Sequence, residues 1–225
     1  HGGDVNGVRF DPAGSQLLTA SDDGTVKRWK FPSGKLIGTV AGHQGVVFDV
    51  AVSAANARAY SAGLDRTIRS FDAGSGGDPR GFVRLPAPVY ALSISPDGKV
   101  LLAAEGAAPY HARLIDAATG AVRVDYAGHD GILTAAVFSP DGRLAATAGG
   151  SDNAIEVWEA ASGKLVRRLA GDGESIWAVA IDQAGGQIAW GSRKVARKVN
   201  GYGPLQQMLR LPVGDGSSLD RKSVV

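Results

Sequence analysis

The sequence predicts an all-β fold assembled from repeated four-stranded antiparallel units, about five of them within 225 residues. The first observation behind this is a period. His43 stands 42 residues after His1, His129 follows two periods further on, and Asp23, Asp65 and Asp152 keep the same step, as do the aromatic positions Trp29, Phe71 and Trp158. Landmarks that agree on one spacing in the forties mark an array of supersecondary units. The second observation is composition. With 32 glycines, 10 prolines and 7% aromatic residues, the chain suits many short elements joined by tight turns.

The third observation is the grammar inside each unit. In residues 1–42, "VNGVRF" alternates apolar and polar residues, "DPAG" turns the chain, and "QLLTA" is a short apolar run. Then "SDDG" turns it again before "TVKRW" and "KLIGTV". Alternating or short apolar runs bounded by Gly, Pro, Asp and Ser clusters read as strands and turns, four strands to the unit. Residues 129–171 repeat this as "ILTAAVF", "SPDG", "RLAATA", "GSDN", "AIEVW", "ASG" and "KLVRRLA". Weaker copies occupy residues 43–86 and 87–128. A fifth unit, residues 172–212, opens with "SIWAVAIDQAGGQIAWGS", and residues 213–225 form a tail or the start of a further unit. All are expected to form one domain, stacked radially so that each sheet buries both faces.

Several classes of chemistry lack their residues. The 24 basic and 22 acidic residues leave a net charge of +2, which gives no broad field for nucleic acid or an anionic membrane. Without cysteine there are no disulfides, thiolate metal sites or cysteine nucleophiles. No phosphate loop, HExxH helix or calcium-loop spacing occurs, and "GSGGDPRG" from Gly74 reads as a linker between third and fourth strands. No cofactor, metal or catalytic residue is therefore expected, and a cytoplasmic setting is the simplest one. Of the four histidines, only His111 falls off the repeat, where a surface role is expected. Arg193, Lys194, Arg197 and Lys198 concentrate charge in "SRKVARKVNG", read as a guarded strand edge in preference to a phosphate contact.

With these residues in place, a resemblance emerges. A leading "GH", "VFSPDGRLAAT", Asp152 six residues before the Trp158 of "VW", and "ASGKLVRRLAGD" resemble the WD-repeat family of β-propellers, in a degenerate, bacterial-type form. The likeness covers residues 1 to about 192. It implies a buried hydrogen-bonded set in each blade, made of a His, a Ser or Thr, an Asp and a Trp. Matched residue by residue, the first blade would use His1, Ser21, Asp23 and Trp29. The second would use His43 and Asp65, with Gly63 at the hydroxyl position and Phe71 in place of Trp. The fourth would use His129, Asp152 and Trp158, with Gly150 at the hydroxyl position. The third has Pro109 and Ile115 where Asp and Trp belong, and it lacks the leading His.

Such sets are expected to be struts. A carboxylate accepting from an imidazole, and a hydroxyl continuing the chain to an indole N–H, contribute about 1.5–3 kcal/mol per charge-assisted bond. A Ser21–His1–Asp23 hydrolase triad is disfavoured because no G-x-S-x-G elbow presents the serine.

Recognition is then left to the rim. Aligned units put Asn6, Phe48, Tyr90, Thr134 and Trp177 at one position of the first strand, and Leu64 immediately before the turn residue Asp65. Large rigid side chains at a channel mouth suit a binding hot spot, so Phe48, Leu64, Tyr90 and Trp177 are the candidate contacts for a protein or peptide partner. The expected function is a non-catalytic interaction scaffold. The alternative is a regulatory or sensing propeller within a larger enzyme, a protease or kinase fusion. Five units are fewer than the seven usual in the resembling family. A segment of a longer propeller, a closed five-blade ring and a pairing of two arcs all remain open.

Overall fold

The computed structural model describes residues 1–77, 79–149, 153–170, 176–182, 187–193 and 204–210. The first sheet runs β1 (Val5–Phe10), β2 (Gln16–Ser21), β3 (Val26–Lys30) and β4 (Lys35–Val40). The second is β5 (Val47–Val52), β6 (Arg58–Gly63), β7 (Thr67–Asp72) and β8 (Arg80–Arg84), and the third is β9 (Val89–Ile94), β10 (Val100–Glu105), β11 (Ala112–Asp116) and β12 (Val122–Tyr126). The fourth comprises β13 (Leu133–Phe138), β14 (Leu144–Gly149), β15 (Ala154–Glu159) and β16 (Leu165–Ala170). β17 (Ile176–Ile181), β18 (Gln187–Arg193) and β19 (Pro204–Arg210) make a fifth, three-stranded among the described residues. Within every sheet, sequence neighbours pair antiparallel.

The turns explain why these strands reverse where they do. Gly14, Gly98 and Gly142 take φ of 66°, 70° and 72° between first and second strands, a left-handed conformation that costs glycine little. Just upstream in two of these turns, Ser95 and Ser139 accept hydrogen bonds from the Val100 and Leu144 amides, each at 2.9 Å.

Radial stacking follows from the two-residue period of a strand, which sends alternate side chains to opposite faces. In β10, Leu101 and Ala103 join the core with Tyr60, Ile68 and Leu85 of the second sheet. Their neighbours Leu102 and Ala104 pack instead with Leu133, Phe138 and Trp158 of the fourth. Equivalent cores lie between the first and second sheets, around Leu18, Val26, Val50 and Phe71, and between the fourth and fifth, around Ile155, Val157, Ile176 and Ile188. A middle strand buried on both faces reads in sequence as a continuous apolar run, as "VLLAA" does in β10. The first strands β1, β5, β9, β13 and β17 pack successively side by side, as in a propeller around a central axis. The face of the first sheet turned away from the second is exposed at Val8 (51%) and Phe10 (51%).

Candidate functional site

Connections from fourth to first strands and turns from second to third strands meet at one end of the stack. There the first sheet forms a continuous chain of donors. Trp29 Nε1 donates to Thr19 Oγ1 (2.8 Å), leaving the threonine proton for His1 Nε2 (2.6 Å), and His1 Nδ1 donates to Asp23 Oδ2 (2.8 Å). The hydroxyl is therefore Thr19, which corrects the expectation of Ser21. Ser21 instead donates to the Gly3 carbonyl (3.3 Å) and accepts from the Asp23 amide (3.2 Å).

The same correction holds in the second sheet, where Ser61 Oγ, not position 63, meets His43 Nε2 at 2.9 Å while His43 Nδ1 reaches Asp65 at 3.0 Å. Phe71 cannot extend that chain, having no N–H. In the fourth sheet Thr147 bonds His129 Nε2 (2.9 Å) and Trp158 Nε1 (3.3 Å); Asp152 and Gly150 lie outside the described residues. The hydroxyl precedes the turn aspartate by four residues in the first two units. The physical reason is the alternation of β2 and β6. Thr19 and Ser61 share the faces of Trp29 and Phe71, which they oppose diagonally across the middle pair.

Burial drives His43 below its ordinary value, against the pull of Asp65, so the imidazole stays neutral near pH 7. Burial pushes Asp65 upward, but hydrogen bonds from the Gln44 amide, the Thr67 hydroxyl and amide, and His43 outweigh it and hold the carboxyl down at about 2. The third sheet solves the same problem differently. Arg113 Nε donates to the fully buried Glu105 (2.9 Å), and its Nη1 reaches Asp125 (2.6 Å), which also accepts from His111 at 2.6 Å. Sequence reasoning missed this network, and also Asp49. That carboxylate, 8% exposed, joins three sheets by accepting from Arg9 (3.3 Å) and the Leu92 amide (3.0 Å). Burial raises its pKa above the ordinary value, opposed by Arg9 and two backbone amides.

The mouth itself is built on a repeated irregularity. Pairing of first and second strands skips Asn6, Phe48, Tyr90, Thr134 and Trp177 in turn, so each aligned position is the extra residue of a β-bulge. Bulges re-aim a side chain and increase local twist. Two of the five then tie their sheet to the next: Asn6 Nδ2 donates to the Val47 carbonyl (3.1 Å), and Thr134 Oγ1 donates to the Ile176 carbonyl. Asn6 also donates to Asp22 (2.7 Å).

Phe48 and Tyr90, on adjacent bulges, hold their rings 4.2 Å apart at 41°. Both are half-buried, whereas Leu64 (45%) and Trp177 (59%) are exposed. Phe48 and Tyr90 are thus brought together. Trp177 stands two bulges beyond Tyr90, with Thr134 between, and makes no ring contact among the described residues. Of the basic segment, only Arg193 falls within a described strand. Lys194, Arg197 and Lys198 lie outside the described residues.

Gly106 backs the Tyr90 ring, so that a Cβ there would overlap ring carbons. Gly106→Ala should displace Tyr90, cost about 1–3 kcal/mol of stability, and change the ring NMR signals of Phe48 and Tyr90 with far-UV circular dichroism unchanged. Unaltered ring signals would mean that this backbone does not position the pair.

Among the described residues no group of three or more His, Asp or Glu side chains is placed to hold a metal ion. None of their helices is long and apolar enough to cross a membrane.

Residues 1–30, 34–72 and 120–159 match the family described as WD domain, G-beta repeat. The chain is 28% identical over 170 residues to the periodic tryptophan protein 2 homolog of Dictyostelium discoideum, covering 74% of this chain and 18% of the relative. It is 25% identical over 180 residues to eukaryotic translation initiation factor 3 subunit I of Lodderomyces elongisporus, covering 74% of this chain and 51% of the relative. To the small ribosomal subunit protein RACK1 of Candida albicans it is 27% identical over 217 residues, covering 75% of this chain and 68% of the relative. The chain thus spans about half or less of the first two relatives.

These relatives are eukaryotic, and the expected bacterial-type form has no support from them. Alanine has a packing role in this chain. Ala20, Ala59, Ala62, Ala103, Ala145, Ala146 and Ala148 are fully buried where sheets approach closely. The repeat matches, the relatives and the stacked four-stranded sheets together show that this chain carries WD repeats and is similar to the WD-repeat β-propellers.

Proposed function

We propose that this chain is a non-catalytic interaction module whose channel mouth receives a protein or peptide partner, with Phe48, Leu64 and Tyr90 as its centre and Trp177 as an outlying contact. The observation that carries this reading is the Phe48–Tyr90 pair on adjacent bulges, 4.2 Å apart. A bulge holds each ring in place before any partner arrives, which lowers the ordering cost of binding. The exposed Leu64 adds apolar area on the neighbouring turn. Two relatives support an assembly role by name, one being a subunit of an initiation factor and the other a protein of the small ribosomal subunit. A cytoplasmic setting belongs to the same proposal, and neither nucleic acid nor membrane is a proposed ligand.

The test is quantitative capture from a cell lysate by wild type and by the Tyr90→Ala, Trp177→Ala double variant, with thermal unfolding of both. Loss of about 90% of specifically retained protein with a midpoint shift under about 5 °C is the expected result, since removing two hot-spot side chains costs roughly 2 kcal/mol or more of binding each. Undiminished capture by a folded variant would remove the mouth as the binding surface.

A further inference from the structure

A second recess lies at the opposite end of the stack, between the second and third sheets. Its volume is about 660 Å³, it opens to solvent, and its walls include Arg58, Tyr60, Ser70 and Phe82 on one side and Lys99 and Arg123 on the other. This volume falls within the range of ligand-binding pockets.

The repeat supplies its own control for why this junction is open. At the junction of the first and second sheets, Arg28 stands immediately before Trp29. Its guanidinium reaches across to the Gly74 carbonyl in the next sheet's turn and also donates to Gln16 (3.0 Å). The residue before Phe71 is Ser70, which is too short to make that crossing. Arg58, which occupies the place of Gln16 on β6, donates to Ser70 Oγ at 2.6 Å. At the junction of the third and fourth sheets the same position holds Leu114, buried in the core. One junction is thus filled by arginine, one by leucine, and the one between them is left as a recess.

The walls of the recess are fixed. Gly98, at φ +70°, lies so close to Ser53 and Ala55 that a Cβ would clash at 2.6 and 2.9 Å, and Gly120 packs against Phe82. Tyr60 donates to the Ala117 carbonyl (3.3 Å) and meets Phe82 edge-on at 5.7 Å. The charges in the recess are not balanced in their commitments. Asp97 accepts from Ser95 Oγ (2.6 Å) and the Lys99 amide (3.0 Å), and Asp116 accepts from the Ala118 and Thr119 amides (2.9 and 2.8 Å) and from Arg123. Both carboxylates are engaged in their own turns. Arg58 has no carboxylate within ion-pair distance among the described residues, and Lys99 is 3.8 Å from Asp97 with 74% of its side chain exposed.

We propose that this recess takes an acidic peptide segment of a partner protein, laying an aliphatic or aromatic side chain on Tyr60 and Phe82 and a carboxylate against Arg58. An apolar floor beside Arg58, which among the described residues has no carboxylate partner, selects an apolar body bearing negative charge. A peptide fits better than a small ligand because the recess opens onto the surface of the stack, where a small ligand would not be enclosed but a chain continuing across the neighbouring turns gains further contact.

The test uses fluorescence anisotropy of a fluorescein-labelled peptide alternating glutamate and leucine, a counterpart with lysine replacing glutamate, and phenylacetate as a small competitor. Saturable binding of the glutamate peptide alone is expected. It should weaken at least tenfold in Ser70→Arg, which refills the recess as Arg28 fills its own junction, and in Arg58→Glu, an exposed position at which folding is not at stake. The Tyr90→Ala, Trp177→Ala variant should bind this peptide as wild type does, which separates the recess from the mouth. Equal binding of the lysine peptide, full affinity in Arg58→Glu, absence of saturation up to millimolar peptide, or binding of phenylacetate without the peptide would each overturn the proposal.

Discussion

Asp65→Ala should lower the thermal unfolding midpoint at pH 7 by about 6–12 °C, from a loss of roughly 3 kcal/mol. The carboxylate serves four donors: His43 Nδ1 (3.0 Å), the Gln44 amide (2.9 Å), and the Thr67 amide (3.0 Å) and hydroxyl (2.7 Å). Truncation strands the imidazole N–H, on a side chain only 4% exposed. The pH dependence gives a second signature. The Asp65 carboxyl is held down from 3.8 to about 2, so its contribution is present in full above pH 3.8 and is lost as pH falls towards 2.

That contribution is of order 2 kcal/mol. His43, also depressed, acts in the same direction from higher pH. The unfolded chain takes up the histidine proton below about 6.5 while the buried ring resists it, so stability declines as pH falls through that value. Wild type and Asp65→Ala should therefore differ most above pH 4 and converge near pH 2 in denaturant melts. A midpoint change below 2 °C at pH 7, or a gap that does not narrow in acid, would end the strut interpretation.

Trp158→Ala should cost about 3–5 kcal/mol, the range for deleting a fully buried aromatic. Trp158 is 0% exposed, stacks on Tyr126 of the third sheet at 4.8 Å and 6°, and donates to Thr147. The stack joins two sheets, and Tyr126 in turn donates to the buried Glu156 at 2.9 Å. Trp29 has the same repeat position and the same kind of hydroxyl partner, but it is half-buried on the uncovered face of the first sheet. Trp29→Ala should cost less than half as much. Equal losses in urea melts of the two variants would show that the indole acts through its own sheet and not through the stack.

The two tryptophans also show where sequence reading stops. Period, turns and strand runs identify both as third-strand residues, yet their burial differs because one faces a neighbouring sheet and the other does not. The hydroxyls Thr19 and Ser61 were legible in principle, as hydroxyl residues four positions before the aspartate in both units. Distance from the turn alone points to Ser21 in the first unit and to position 63 in the second, whereas the side-chain alternation of β2 and β6 selects Thr19 and Ser61. The five mouth residues share one repeat position in the sequence, while their nature as bulge residues depends on pairing with the second strand. The Arg113–Glu105 network carries no repeat signature, since it stands where the repeat has degenerated.

By itself the sequence determined the all-β class, the four-stranded unit and the landmarks of the struts, because strand alternation, turn chemistry and a fixed period are local and repeat along the chain. Only the tertiary structure decided which faces meet. It closed one junction with Arg28, packed another with Leu114, and left the recess at Ser70, because filling a junction depends on side chains from two sheets at once.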